Sequence, residues 1–331
     1  MSEGAKEGLR AKAEEYWECA WADSSVKVKA AEWKAWLVFC KAYDFEPLTP
    51  TEEAFILFAT FLSLSMAVSS VEAYVGGVRR LLQLLGANPP SSKNLAVNRI
   101  IQGMSRAKGR EVDAKEAITP EMLLQIRGLL DWKADEDWLM WGVLMVGFYS
   151  FLRPSNLIVR TKEEGGGDRA LTWERVTFYE GGVELVCLWS KVIQFRGRMM
   201  RIRLASAKGT GLCPVEALWE CAKLSQGEDR KGLVFACRRG KGGRTYPFTI
   251  AQAAKKLKDW SRKLGWPEGA ITLRSLRIGG ASWAYRCGVP VEQIKIQGDW
   301  ASDSWFRYIR RVTVEQSGEV AGAVARGLGQ Q

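Results

Sequence analysis

Through the first hundred residues, apolar positions recur every three to four places, the period of α-helices that each turn one face inward. Residues 27–43 set Val28, Ala31, Trp36, Phe39 and Cys40 on one broad face, with lysine and glutamate between them. Thr51 is placed to cap the next helix, because Glu52 and Glu53 fill its first turn and a long apolar stretch follows. Ser69 or Ser70 opens another helix, carrying Val71, Val75, Val78, Leu81, Leu82 and Leu85, and Gly86 ends it. A loop, Asn88-Pro89-Pro90-Ser91-Ser92, then leads into residues 93–108, which read as helical and basic. No internal repeat and no β alternation interrupts this region, so it predicts a small helical bundle.

The pattern turns polar at residues 107–117 (AKGREVDAKEA), which predicts a linker over 109–117 between a domain at 1–108 and a second at 118–331. Thr119-Pro120-Glu121 starts a helix, with threonine as cap and proline in the first turn. A strongly apolar helix over 137–152 ends near Arg153-Pro154. From Ala170 to Leu204 the period changes to two, predicting strands at 183–189 and 199–204 with turns at Glu180-Gly181-Gly182 and Arg196-Gly197-Arg198. After Pro214 the helical period returns, and the last helix, at 313–327, carries small apolar residues such as Val320, Ala321 and Val324. The expected fold class is mainly α with a small antiparallel β-sheet: a helical N-terminal domain, then a mixed α+β domain containing one short sheet.

Composition narrows the chemistry. The 331 residues carry a formal charge of +11 and a pI near 9.3, which favours a polyanionic partner, since each Lys or Arg set against a phosphate releases condensed counterions. The seven cysteines are scattered and form no CxxC pair, so neither a zinc site nor a disulfide framework is expected, and a reducing compartment is the simpler reading. The first residues, MSEGAKEGLRAKAEEYW, lack the apolar core of a signal peptide. The apolar runs at 54–68 and 138–152 fall short of the ~20 residues that span a bilayer, so both predict buried helices and no membrane partner. The chain contains no histidine, which excludes Ser-His-Asp triads, histidine-ligated metals and histidine general bases.

Three motifs carry the remaining signal. Residues 273–310 read LRSLRIGGASWAYRCGVPVEQIKIQGDWASDSWFRYIR. They resemble the C-terminal signature of tyrosine recombinases, the phage-integrase family: an HxxR helix start, a Gly-His or Gly-Trp turn, and a tyrosine 8 or 9 residues later. The wording Arg277-Ile278-Gly279-Gly280, then Trp300 and Tyr308-Ile309-Arg310, is most similar to the Crypton and tyrosine-recombinase retrotransposon branch. Upstream, Leu152-Arg153-Pro154-Ser155-Asn156-Leu157 resembles the family's first-arginine motif, LRxSEL, and Ser190-Lys191 its β-hairpin lysine. The resemblance covers nearly the whole chain, the N-terminal helices resembling the core-binding domain.

The resemblance implies site-specific cleavage and rejoining of double-stranded DNA by a clamp-shaped enzyme, acting as a dimer or tetramer, with no cofactor, metal or small-molecule substrate. It would serve integration or recombination of a mobile element, inside the cell and in the nucleus of a eukaryotic host. The residue types suit that chemistry. A tyrosyl phosphodiester conserves bond energy, an arginine fork can bond two phosphate oxygens, and a lysine among cations can protonate a leaving oxygen. On this reading Tyr308 is the nucleophile, Arg153 and Arg277 hold the non-bridging oxygens, and Lys191 protonates the leaving group. Trp300 packs beside or donates to the phosphate, and Arg274 stands where the family has histidine. Arg196, Arg198, Arg201, Arg238, Arg239, Lys241 and Arg244 would touch DNA. Arg274 cannot accept a proton, and Asn156 removes an acidic residue, so a DNA-binding protein with impaired catalysis is the alternative. Counting nine residues back from Tyr308 reaches Asp299 instead of Trp300.

Overall fold

The computed structural model describes residues 3–109, 115–164, 167–190, 199–225, 230–238, 245–300 and 302–306. Contacts divide the chain into two compact units, Met1–Asp113 and Ala114–Gln331.

The first unit is five helices: α1 (Glu3–Cys19), α2 (Asp23–Tyr43), α3 (Glu52–Ser63), α4 (Val68–Leu84) and α5 (Leu95–Lys108). Its core is aromatic. Trp36 of α2 meets Phe58 of α3 edge-on at 5.1 Å between ring centroids, and Phe39 stacks on Phe45 at 5.5 Å. Thr51 caps α3 as expected, accepting from the Ala54 N–H at 3.1 Å. Three expectations are corrected. Val28 and Ala31 are exposed, and the inward face of α2 is instead Glu32, Trp36, Phe39 and Cys40. That face lies where α3 and α4 pack, and α2 begins earlier than expected, with its first turns outside the core. The fourth helix starts at Val68, with Ala67 as its cap residue, ahead of either serine.

In the second unit, residues 115–118 join the body at once: Glu116 N–H donates to Ala270 O at 2.8 Å and Ile118 N–H to Ser275 O at 3.3 Å. The elements follow as α6 (Pro120–Arg127), α7 (Asp135–Ser150), a single turn α8 (Pro154–Leu157), β1 (Val176–Tyr179), β2 (Gly182–Cys187), β3 (Met200–Ala205), α9 (Pro214–Ser225), β4 (Ala236–Arg238), β5 (Thr245–Pro247), α10 (Ile250–Lys263), α11 (Leu273–Arg286) and α12 (Val291–Gln297). Beyond its acidic first turn, helix α7 is apolar on every side and therefore runs through the middle, packed by α9, α11, β3 and β4.

Strands β1, β2 and β3 form an antiparallel sheet in that order, with Val183 opposite Leu204 and Leu185 opposite Ile202. Those four side chains face the core, while Glu184 and Arg203 face outward. The sequence pattern led to one sheet, but β4 and β5 form a second, two-stranded ladder. Strand β2 also stops at Cys187, short of the expected 189, because the Trp189 carbonyl turns to side-chain donors. The expected turn at 196–198 and helix at 313–327 lie outside the described residues. Among the described residues, no helix is long and apolar enough to cross a membrane.

Candidate active site

The site begins where α7 stops. Phe151 takes the left-handed conformation (φ 56°), and Ser150 Oγ accepts from Leu152 N–H at 3.2 Å, so the chain leaves the helix in a fixed direction. Arg153 follows, half-buried, just ahead of the α8 turn.

The turn exposes the Phe151 carbonyl to α11. There Arg277, only 4 % exposed, donates through one terminal nitrogen to Phe151 O and through the other to Gly298 O, the latter at 2.5 Å. Its guanidinium carbon lies 3.9 Å from the centre of the Trp300 ring. A buried cation is tolerable only when its N–H groups find acceptors, and here two carbonyls from distant segments accept while the indole face attracts the charge. The paired glycines after Arg277 make this possible. A Cβ at Gly280 would run into the Phe148 carbonyl and one at Gly279 into the Ile118 carbonyl, so α11 lies against both segments only without side chains there.

Past α12 the chain turns through Gly298, Asp299 and Trp300. Asp299 is left-handed (φ 51°) and buried, and its carboxylate accepts from Ser190 Oγ. Trp300 joins Phe151, Ala281, Ile294 and Trp305 in a small apolar cluster of their own. The end of the sheet reaches the same place. Trp189 O accepts from Asn156 Nδ2 at 2.5 Å and from Cys187 Sγ at 3.1 Å, and Arg169 covers the Trp189 ring at 4.7 Å. Burial pushes the Cys187 thiol above its ordinary range; Asp299 adds to the rise, while Arg175 and Arg153 oppose it. Arg153 and Asp299 thus act on one thiol from opposite signs.

Of the residues singled out in the sequence, Arg277 and Trp300 are in contact, and Arg153 follows Phe151, whose carbonyl Arg277 holds. Arg274 is exposed on the first turn of α11, one turn before Arg277. Arg201 is exposed on the outer face of the sheet and pairs with Glu184 at 2.8 Å. Bonds from Arg203 and Arg201 hold the Glu184 carboxyl below its usual range. The backbone of Arg238 pairs with Thr245. Tyr308, Lys191, Arg196, Arg198, Arg239, Lys241 and Arg244 lie outside the described residues. Sequence reasoning missed the Ser190–Asp299 bond and the Asn156 clamp. Asp299 was visible only as an alternative spacing to Tyr308, since a buried bond between residues 109 positions apart leaves no local signal.

The fold is that of the tyrosine-recombinase catalytic domain: mainly helical, with a small antiparallel sheet. A lambda integrase dimer bound to a COC′ core site superposes with TM-score 0.61 at 15% identity, covering 91% of this chain and 93% of that one. Lambda integrase bound to DNA gives 0.59 at 14% identity, over 91% and 94% of the two chains. The XerH site-specific recombinase in a post-cleavage complex with palindromic difH substrate gives 0.58 at 13% identity, over 86% and 75%. At these identities the likeness is one of fold. No family model matches the sequence, and no curated protein matches it.

Proposed function

We propose that this protein cuts and rejoins double-stranded DNA at specific sites through a tyrosyl–DNA intermediate, with residues 118–331 as the catalytic domain and 1–108 as a DNA-binding domain. The observation that carries this reading is the convergence on Arg277. Segments from the end of α7, the start of α11 and the turn after α12 meet at one buried guanidinium, and Ser190 bonds to that same turn. Two described residues next to the assigned groups support placing them at this site. Ser190 immediately precedes Lys191, and the buried Trp305 lies three positions before Tyr308.

In the proposed reaction the Tyr308 phenol loses its proton to solvent and its oxygen attacks phosphorus. The bond from phosphorus to the 5′ oxygen breaks, and Lys191 protonates the departing oxygen. Attack of a 5′-hydroxyl on the phosphotyrosine runs the same steps backward and reseals the strand. Arg153 and Arg277 neutralise the charge that develops on the non-bridging oxygens. Trp300 acts through Arg277, because a guanidinium lying on an indole keeps its N–H edge oriented. Arg274 supplies a donor and a positive charge at the mouth of this group. Arg196, Arg198, Arg201, Arg238, Arg239, Lys241 and Arg244 contact the DNA backbone, and two or four copies assemble on one site. The neighbours bound to DNA, lambda integrase and XerH, support duplex DNA as the partner.

The test uses a random-sequence duplex library carrying nicks that prevent religation. Wild-type protein is expected to leave SDS-resistant adducts on an enriched subset of duplexes, and Tyr308→Phe to leave none. Retained binding without adduct supports the DNA-binding alternative, and an adduct that survives Tyr308→Phe contradicts the assignment.

A further inference from the structure

Ser190 and Asp299 sit at a junction that the proposed roles leave unexplained. A buried carboxylate with a left-handed backbone is held there against a serine hydroxyl from another element. Left-handed conformation is unfavourable in a non-glycine residue, and it persists where surrounding contacts demand it. What demands it here is the pair of bonds on either side. Gly298 must present its carbonyl to Arg277, and Asp299, the next residue, must present its carboxylate to Ser190.

Two successive residues after β2 are gripped in turn, Trp189 through its carbonyl by Asn156 and Ser190 through its hydroxyl by Asp299. Asn156 belongs to the first-arginine motif, three residues beyond Arg153. Asp299 belongs to the turn that holds Arg277. One stretch of backbone is therefore tied both to the segment that bears Arg153 and to the turn that accepts from Arg277.

We propose that Asp299 and Ser190 are positioning residues for the leaving-group step: their bond fixes the chain next to Lys191 in register with Arg277, so that the lysine delivers its proton to the departing oxygen. The carboxylate that the first-arginine motif lacks at Asn156 is supplied here from the other end of the domain. This rests on the DNA-cleaving activity proposed above, but its structural half does not need DNA.

The first measurement is amide exchange of the DNA-free protein over residues 187–190. Ser190→Ala and Asp299→Ala should speed exchange there by about 10-fold, the change in opening equilibrium expected from one lost hydrogen bond to a charged acceptor. Asp299→Asn, which keeps an acceptor oxygen, should change it less than Asp299→Ala. Exchange that is unaltered in the alanine variants overturns the proposal, whether or not the protein cuts DNA.

The second measurement uses a duplex recovered by the adduct experiment, made with either oxygen or sulfur at the 5′ bridging position. A thiolate departs without a proton, so the sulfur substrate bypasses the general acid. Ser190→Ala, Asp299→Ala and Lys191→Ala should cut the oxygen substrate about 10- to 100-fold more slowly than wild type, and recover most of that loss with sulfur. A defect in the two positioning variants that sulfur leaves unrepaired assigns them a merely structural role and contradicts the proposal. Failure of the wild-type protein on both substrates instead removes the enzymatic reading, and the exchange result then stands alone.

Discussion

A guanidinium buried to 4 % exposure is costly to take out of water, and Arg277 is retained there because its forked shape meets two carbonyl oxygens and one ring face at once. A lysine could reach only one of those carbonyls with comparable geometry. The neighbouring glycines are equally constrained, since Gly280 lies against the Phe148 carbonyl. Gly280→Ala must push α11 away from α7, and the expected cost is about 3 kcal/mol in urea unfolding, with Arg277 displaced as a consequence. A loss under about 1 kcal/mol would mean the helices can part freely, against the packing described. The sequence disclosed Arg277 and the glycine pair through their spacing. It did not disclose the acceptors, because backbone carbonyls belong to every residue type. The left-handed Asp299 was hidden for a similar reason, since long-range bonds impose that conformation.

Among the elements, helices were legible where a cap and a period agreed. Thr51 and Thr119, read as caps in the sequence, each bond the N–H three residues on, and Thr249, which the sequence reading did not single out, does the same. Thr249 forms a reciprocal pair with Gln252, whose Oε1 accepts from the Thr249 N–H at 2.9 Å. Thr249→Ala should lower unfolding free energy by about 1 kcal/mol, and Thr249→Ser, which keeps the hydroxyl, by less than half of that. Equal losses in the two variants would show that the methyl group, not the cap, is what matters. The strands were harder to read. Strand β1 spans four residues, and β4 and β5 three each, too few for alternation to register. Helix α2 misled for another reason. Val28 and Ala31 fit its apolar period but are exposed, whereas Glu32 is buried with its carboxylate against Gly77 of α4.

Across the whole molecule, the sequence motifs and the fold can be compared with one set of solved structures. Three motifs in the right order pointed to a tyrosine recombinase, and the backbone superposes on lambda integrase over nine-tenths of both chains although only 15% of residues are identical. A fold can be shared at such low identity because it depends on the period and volume of apolar positions more than on their identity. The net charge of +11 belongs to this scale too. Retention on a fluorescent duplex should fall on the order of 10³-fold between about 50 and about 200 mM salt, the behaviour of several simultaneous phosphate contacts. Binding indifferent to salt would exclude that mode of contact.

The central claim is that a covalent bond to DNA forms at one particular phenol. The most direct measurement is mass spectrometry of the SDS-stable adduct after the DNA is digested to a short stub and the protein to peptides. The account predicts a nucleotide remnant on the peptide containing Tyr308, attached through a 3′ phosphate. A remnant on any other residue, or one joined through a 5′ phosphate, would contradict it.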